Sequence, residues 1–301
     1  MTRPSSVRGL WCATLTPLGR DGSVDRARFA AHVQGLLARG VDGIVPFGTM
    51  GEGPSFSVAE RFAGLDALLA VGIAPDRIVS ATGCAAFADA VALTRHALRS
   101  GCARCLILPP FFWKNLADEA VFLYYAALID AVGDCRLQVY LYHIPQISAV
   151  PIRPEVVARL AAAYPGVIAG VKDSGGDFSH TTELLTQLPH LSILTGCEPH
   201  VSALMKRGGA GTICGVANLW PRPIAALLEP GVAPNAEARI RAFLDIVQPY
   251  PFVPAFKAIR GWQTGDAAWR AVRPPLLPLT KAECETLFAA LEKARFDFAA
   301  G

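Results

Sequence analysis

The chain has 301 residues, of which 52% are apolar and 18% charged, a balance that excludes disorder and suits one large α/β domain or two smaller ones. A formal net charge of +3 gives no electrostatic ground for nucleic-acid binding, and no apolar run reaches the roughly 20 residues of a membrane helix. Lys and Arg total 28, but only Lys114, Lys172, Lys206, Lys257, Lys281 and Lys293 are lysines.

The predicted elements alternate along the chain. Apolar runs bounded by turn residues read as buried parallel strands at Leu10–Pro17, Gly43–Gly48, Arg77–Gly83, Arg104–Pro110, Leu137–Pro145, Val167–Asp173, Leu191–Cys197 and Gly211–Asn218. Helical periodicity fills the gaps. Val24–Arg39 comes first, and Ser57–Ala70 follows with Ser57 and Glu60 at capping-box spacing. Ala86–Ser100 stops at Gly101, and Asp118–Val132 stops at Gly133. Arg153–Tyr164 has Pro154 in its first turn, and Phe178–Gln187, Glu198–Arg207 and Trp220–Leu228 complete the series. Eight such units predict a (β/α)8 TIM barrel over residues 1–232. Residues 233–301 carry no strand pattern and predict a C-terminal helical extension, with helices near Ala236–Val247, Pro254–Gln263 and Thr280–Ala299. The eight cysteines do not suit a disulfide framework at this length, and Cys102 and Cys105 lack the second pair a zinc site needs. Packing in a reducing cytoplasm is the expectation, and Met1 to Arg8 lacks the apolar stretch of a signal peptide.

In such barrels the chemistry lies at the carboxyl ends of the strands. Lys172 alone among the lysines falls in a predicted strand, after Ile168, Ala169, Gly170 and Val171. A neutral amine in a water-poor pocket is the nucleophile that forms an imine with a ketone or aldehyde. The alternative is a rim lysine paired with Asp173 or another carboxylate. Collapse of the carbinolamine needs a proton shuttle, and Tyr142 on the neighbouring strand is the candidate, unless it merely packs in the barrel wall. The Gly48–Gly53 turn offers close-set amides for a carboxylate, with Thr49 adding a hydroxyl and Met50 and Gly51 as substrate-binding candidates, and Glu52 reads as a buried carboxylate holding loop amides, the alternative being an acid–base group. Ile213 is a candidate apolar wall. The five other lysines are expected to be solvated.

The motifs G-T-M-G-E (Gly48 to Glu52), Y-H-I-P (Tyr142 to Pro145) and G-V-K-D-S (Gly170 to Ser174), in this order and at these barrel positions, resemble the dihydrodipicolinate synthase and N-acetylneuraminate lyase family of class I aldolases, over roughly Gly9 to Leu291. The resemblance implies that Lys172 forms a Schiff base with pyruvate or another 2-oxo acid. It further implies that Tyr142 moves protons between imine, substrate and Thr49, that the amides of Thr49 and Met50 hold the carboxylate, and that Ile213 lines the pocket. It also implies a homotetramer, built as a dimer of dimers, with no cofactor and no metal. Three positions depart from the synthases. Met50 replaces a threonine, and Ile147 stands where an arginine binds the carboxylate of the aldehyde partner. Phe112 replaces a tyrosine donated across the dimer interface. Phe111, Phe112, Trp113 and Ile147 therefore predict an apolar second-substrate wall.

The expected function is a pyruvate-type lyase or aldolase. Three alternatives use the same residues: dehydration of a 2-keto-3-deoxy sugar acid through the same imine, dihydrodipicolinate synthesis despite the missing arginine and tyrosine, and non-catalytic binding of an oxo acid. A metal-dependent aldolase is disfavoured, because Glu52, Asp173 and Glu198 come with no His pair at ligand spacing.

Overall fold

The computed structural model describes residues 6–231 and 234–296. Eight parallel strands run in chain order: β1 (Gly9–Ala13), β2 (Gly43–Val45), β3 (Val79–Ala81), β4 (Arg104–Ile107), β5 (Gln138–His143), β6 (Ile168–Asp173), β7 (Ser192–Thr195) and β8 (Gly211–Cys214). They lie in the order β2-β1-β8-β7-β6-β5-β4-β3, and a parallel bridge between Ile44 and Ile78 brings the two ends together. The sheet is thus a nearly closed barrel, as the sequence predicts. Around it lie α1 (Arg26–Ala38), α2 (Val58–Ala70), α3 (Phe87–Arg99), α4 (Asp118–Val132), α5 (Pro145–Ser148), α6 (Pro154–Ala163), α7 (Phe178–Gln187), α8 (Val201–Met205) and α9 (Pro221–Ala226). The extension adds α10 (Pro234–Val247), α11 (Phe252–Thr264) and α12 (Lys281–Lys293). The expected boundary at 232/233 and the last residues of the helix predicted to reach Ala299 lie outside the described residues. No described helix is long and apolar enough to cross a membrane.

Local signals set the helix ends. Ser57 and Glu60 form the expected capping box at α2, and Thr280 and Glu283 form another at α12. Gly133 ends α4 in the left-handed region at φ 65°. The strands stop earlier than the apolar runs do. Thr14 to Pro17, for example, lies beyond β1 as loop, and its Leu15 N–H donates to Asn218 Oδ1. These βα loops are buried in the barrel mouth, so they are as apolar as strands. The helix predicted at Glu198–Arg207 is a single 3-10 turn followed by the short α8. The end of the predicted fifth strand is instead Pro145, the first residue of α5, a helix the sequence pattern did not show.

The strand side chains sort into two cores. Val139, Leu141, Ile168, Val171 and Ile193 face outward to the ring of helices. Trp11, Tyr140, Tyr142, Leu194 and Ile213 face the lumen and share one cluster with Phe243, Phe256 and Leu287 of the extension. One irregularity matters for the site. Val139 pairs with Ile168, but Tyr140 pairs with Gly170, so Ala169 is an extra residue on β6. After this bulge Tyr142 lies level with Lys172.

Two expectations about charge are corrected here. Lys257 is not a solvated lysine. It is 0% exposed on α11, its Nζ pairs with the Glu52 carboxylate, and it donates to the Ala271 carbonyl at 2.7 Å. Glu52 is buried as expected but does not hold the amides of its own turn. Its other oxygen accepts the Arg273 backbone N–H at 2.8 Å. A carboxylate cut off from water needs charge and donors close by. Here the extension provides both and is thereby fastened to the turn after β2.

Candidate active site

The barrel mouth opens into a cavity of about 560 Å³. Lys172, 5% exposed at the end of β6, points into it. Its amine donates to the Tyr142 hydroxyl at 3.2 Å and lies 4.2 Å from the centre of that ring. The Tyr142 hydroxyl is in turn 3.3 Å from Thr49 Oγ1. Amine, phenol and hydroxyl therefore form one continuous chain. Asp173 is not the partner of Lys172. It faces the other way, accepting from Gly175 N–H at 2.9 Å, Thr181 Oγ1 at 2.7 Å and His180 Nδ1 at 2.8 Å.

The turn after β2 is built for close approach. Phe47 and Glu52 both hold φ near 56°, in the left-handed region. A side chain on Gly53 would meet the Phe47 carbonyl oxygen at 1.8 Å, so the turn closes only over glycine. Its internal bonds use the N–H groups of Glu52 and Gly53, and those of Thr49 and Met50 have no acceptor among the described residues. Gly196, opposite, leaves room for the lysine, since a Cβ there would lie 1.9 Å from Ser174 Oγ and 3.1 Å from Lys172 Cε.

Thr49, Met50, Tyr142, Lys172, Ile213 and Ile147 all line the cavity. Gly51 does not. It sits beneath the turn, where its carbonyl accepts the Thr16 hydroxyl at 2.8 Å. Phe112 is 65% exposed and packs edge-on against Trp113 at 5.4 Å, outside the cavity lining of its own chain. The sequence reading missed Arg241 and Leu244 of α10 and Phe252 of α11, which close the far side of the cavity. Arg241 and Leu244 share a helix face by their spacing, the one signal available in advance. Glu198 also faces the cavity. Burial raises its carboxyl above the usual range, against the Val216 N–H that donates to it at 3.1 Å.

A buried amine at a barrel strand end, bonded to a phenol and lining one cavity with the Thr49–Met50 turn, is an arrangement suited to attack on a carbonyl group. The comparisons with known proteins give the family. A sequence model of the dihydrodipicolinate synthetase family matches residues 6–294, and the chain belongs to this family. An uncharacterized DapA-like lyase of Chloroflexus aurantiacus is 37% identical over 95% of this chain and 96% of its own. The crystal structure of dihydrodipicolinate synthase from Agrobacterium tumefaciens is similar at 34% identity and a TM-score of 0.89, over 95% of this chain and 98% of that one. A Sulfolobus 2-keto-3-deoxygluconate aldolase in complex with D-KDPG shares the fold, with a TM-score of 0.85 at 20% identity, over 95% and 96% of the two chains. These relationships support a lyase.

Proposed function

We propose that this chain is a class I, pyruvate-type lyase that makes or breaks a carbon–carbon bond through an imine on Lys172. The carrying observation is the unbroken chain Lys172–Tyr142–Thr49 in one buried cavity. The amine attacks the ketone carbon of a 2-oxo acid. Tyr142 returns a proton to the carbinolamine hydroxyl, which leaves as water, and Thr49 orients the phenol. The N–H groups of Thr49 and Met50 hold the substrate carboxylate, and Ile213 packs on its methyl side. The imine then withdraws electrons from the adjacent carbon, so no metal or cofactor is required. Ile147 offers the second substrate no cation at the position where the resemblance implies an arginine, a departure from the 4-hydroxy-tetrahydrodipicolinate synthase for which several relatives are named. Residues from α10 and α11 offer it apolar surface and one guanidinium instead. We further propose a cytoplasmic homotetramer, which light scattering of the purified protein checks.

The test is borohydride reduction with pyruvate, followed by peptide mass mapping. The expected result is an irreversible adduct on the peptide bearing Lys172, lost in Lys172→Ala. No adduct, or one that persists in that variant, refutes the reading. Glu198 favours a second reaction on the same imine, dehydration of a 2-keto-3-deoxy sugar acid, because it places a buried carboxyl in the cavity lining, where a general acid for a leaving hydroxyl is needed. Comparing water loss with pyruvate release on one sugar-acid panel separates the two.

A further inference from the structure

Behind the catalytic pair lies a second cluster that the imine chemistry does not use. His143 follows Tyr142 on β5, Asp173 follows Lys172 on β6, and His180 reaches both from α7. Their ligand atoms all lie within 4.8 Å of one another, a spacing that suits a cation. The hydrogen bonds say which cation. His180 Nδ1 faces the Asp173 carboxylate at 2.8 Å, and its Nε2 faces the Ile152 carbonyl at 3.0 Å. Both partners are acceptors, so both ring nitrogens must carry protons, and neither has a lone pair for a metal. His143 is the complement. Its Nδ1 accepts the Ile152 N–H at 3.1 Å, which makes it the neutral ring, and it stacks on His180 at 4.0 Å.

We propose that His180 is a permanent imidazolium at working pH and a positioning residue for the Lys172 chemistry. Its charge anchors the Asp173 carboxylate, and its ring supports His143. These are the residues that immediately follow Lys172 and Tyr142 on neighbouring strands. Around His180 the other titratable groups are Glu183 on its own helix and Asp177 before that helix. The electrostatics agree with the geometry. Burial would lower His180, but the bond to Asp173 and its charge outweigh that and raise it. Burial and the His180 charge together depress His143 to about 4. Loss of the His180 proton leaves the Asp173 carboxylate buried without its charged partner and frees the two strand ends to shift.

This inference rests on the imine reading, so its test has one arm that does not depend on activity. In full-length protein with 15N-labelled histidine, long-range nitrogen–proton spectra at pH 8 are expected to show both His180 nitrogens protonated and one His143 nitrogen bare. A neutral His180 at pH 8 overturns the inference. The second arm follows exchange of pyruvate methyl protons with D2O, which needs the imine but no second substrate. His180→Gln is expected to slow exchange at least tenfold, with KM for pyruvate within twofold, and to remove an alkaline decline seen in the parent. If His180→Gln does not fold, Asp173→Asn is expected to move that decline down by at least one pH unit. An unchanged pH profile in these variants refutes the positioning role. No exchange in the parent refutes the Lys172 reading itself, and the positioning role falls with it.

Discussion

Replacing Lys257 with methionine tests whether the extension is fastened to the active-site turn by charge. Lys257 and Glu52 are both 0% exposed at their side chains, so solvent does not screen the pair. Burial lowers the Lys257 amine from its ordinary value, and the charge of Glu52 opposes that shift. Removing one member of such a pair leaves an uncompensated charge, which costs about 3–5 kcal/mol. The lost bond to the Ala271 carbonyl costs about 1 kcal/mol more. At about 2–4 °C per kcal/mol, Lys257→Met is expected to lower Tm by about 8–24 °C. The solvated pair Lys281–Glu285 serves as control, and Lys281→Ala is expected to cost less than about 0.5 kcal/mol. The assays are thermal and urea denaturation with parallel borohydride trapping, because Glu52 ends the turn that carries Thr49 and Met50. Adding Glu52→Gln to Lys257→Met removes the stranded charge while keeping an acceptor for the Arg273 N–H, and is expected to recover at least half of the loss. A cost below about 1 kcal/mol for Lys257→Met, or no recovery in the double variant, would show that packing alone holds the extension.

Tyr142→Phe keeps the ring but breaks the chain between Lys172 and Thr49, so kcat is expected to fall by about 10²–10⁴ with KM for pyruvate little changed, as steady-state kinetics would show. Stability is expected to fall in mild acid. Burial lowers His32 to about 3 and His143 to about 4, so each takes up a proton only on unfolding. Their contribution is complete above pH 6.5 and is lost as pH falls towards those values, at about 1.4 kcal/mol per pH unit for each group. His180 acts in the opposite sense, its contribution fading as pH rises through its raised value. Urea midpoints at pH 7.5 and 5 measure the acid slope, which His32→Asn is expected to reduce. Arg241→Ala is expected to raise KM at least tenfold for a carbonyl partner bearing a carboxylate or phosphate and to leave KM for pyruvate unchanged. Equal effects on both substrates would place Arg241 elsewhere in the mechanism.

The barrel and the Lys172–Tyr142 pair were legible because each rests on local chemistry. Apolar runs marked the strands, and Ser57, Gly133 and Pro154 marked helix ends. Strand limits were not legible, because residues such as Thr14 and Leu15 are buried in the mouth as fully as the strand before them. Lys257 was misread because nothing near it in sequence is acidic. Its partner Glu52 arrives from the opposite end of the chain. Arg241, Leu244 and Phe252 were missed for the same reason, since helical spacing does not reveal which face covers a cavity made elsewhere.

Ala169 gives the lysine its address. Ile168 and Val171 both face the helices although they are an odd number of residues apart, which a regular strand forbids. In an unbroken β6, Lys172 would share the side of Ile168 and lie among α-helices, away from any substrate. The extra residue inverts parity once, and the amine turns inward. What must persist in this stretch is therefore a count rather than a spelling. Exchanging Ala169 or Gly170 for another side chain is a question of fit. Adding or removing one residue between Ile168 and Lys172 moves the amine to the wrong side of the wall, even with every side chain of the cavity retained.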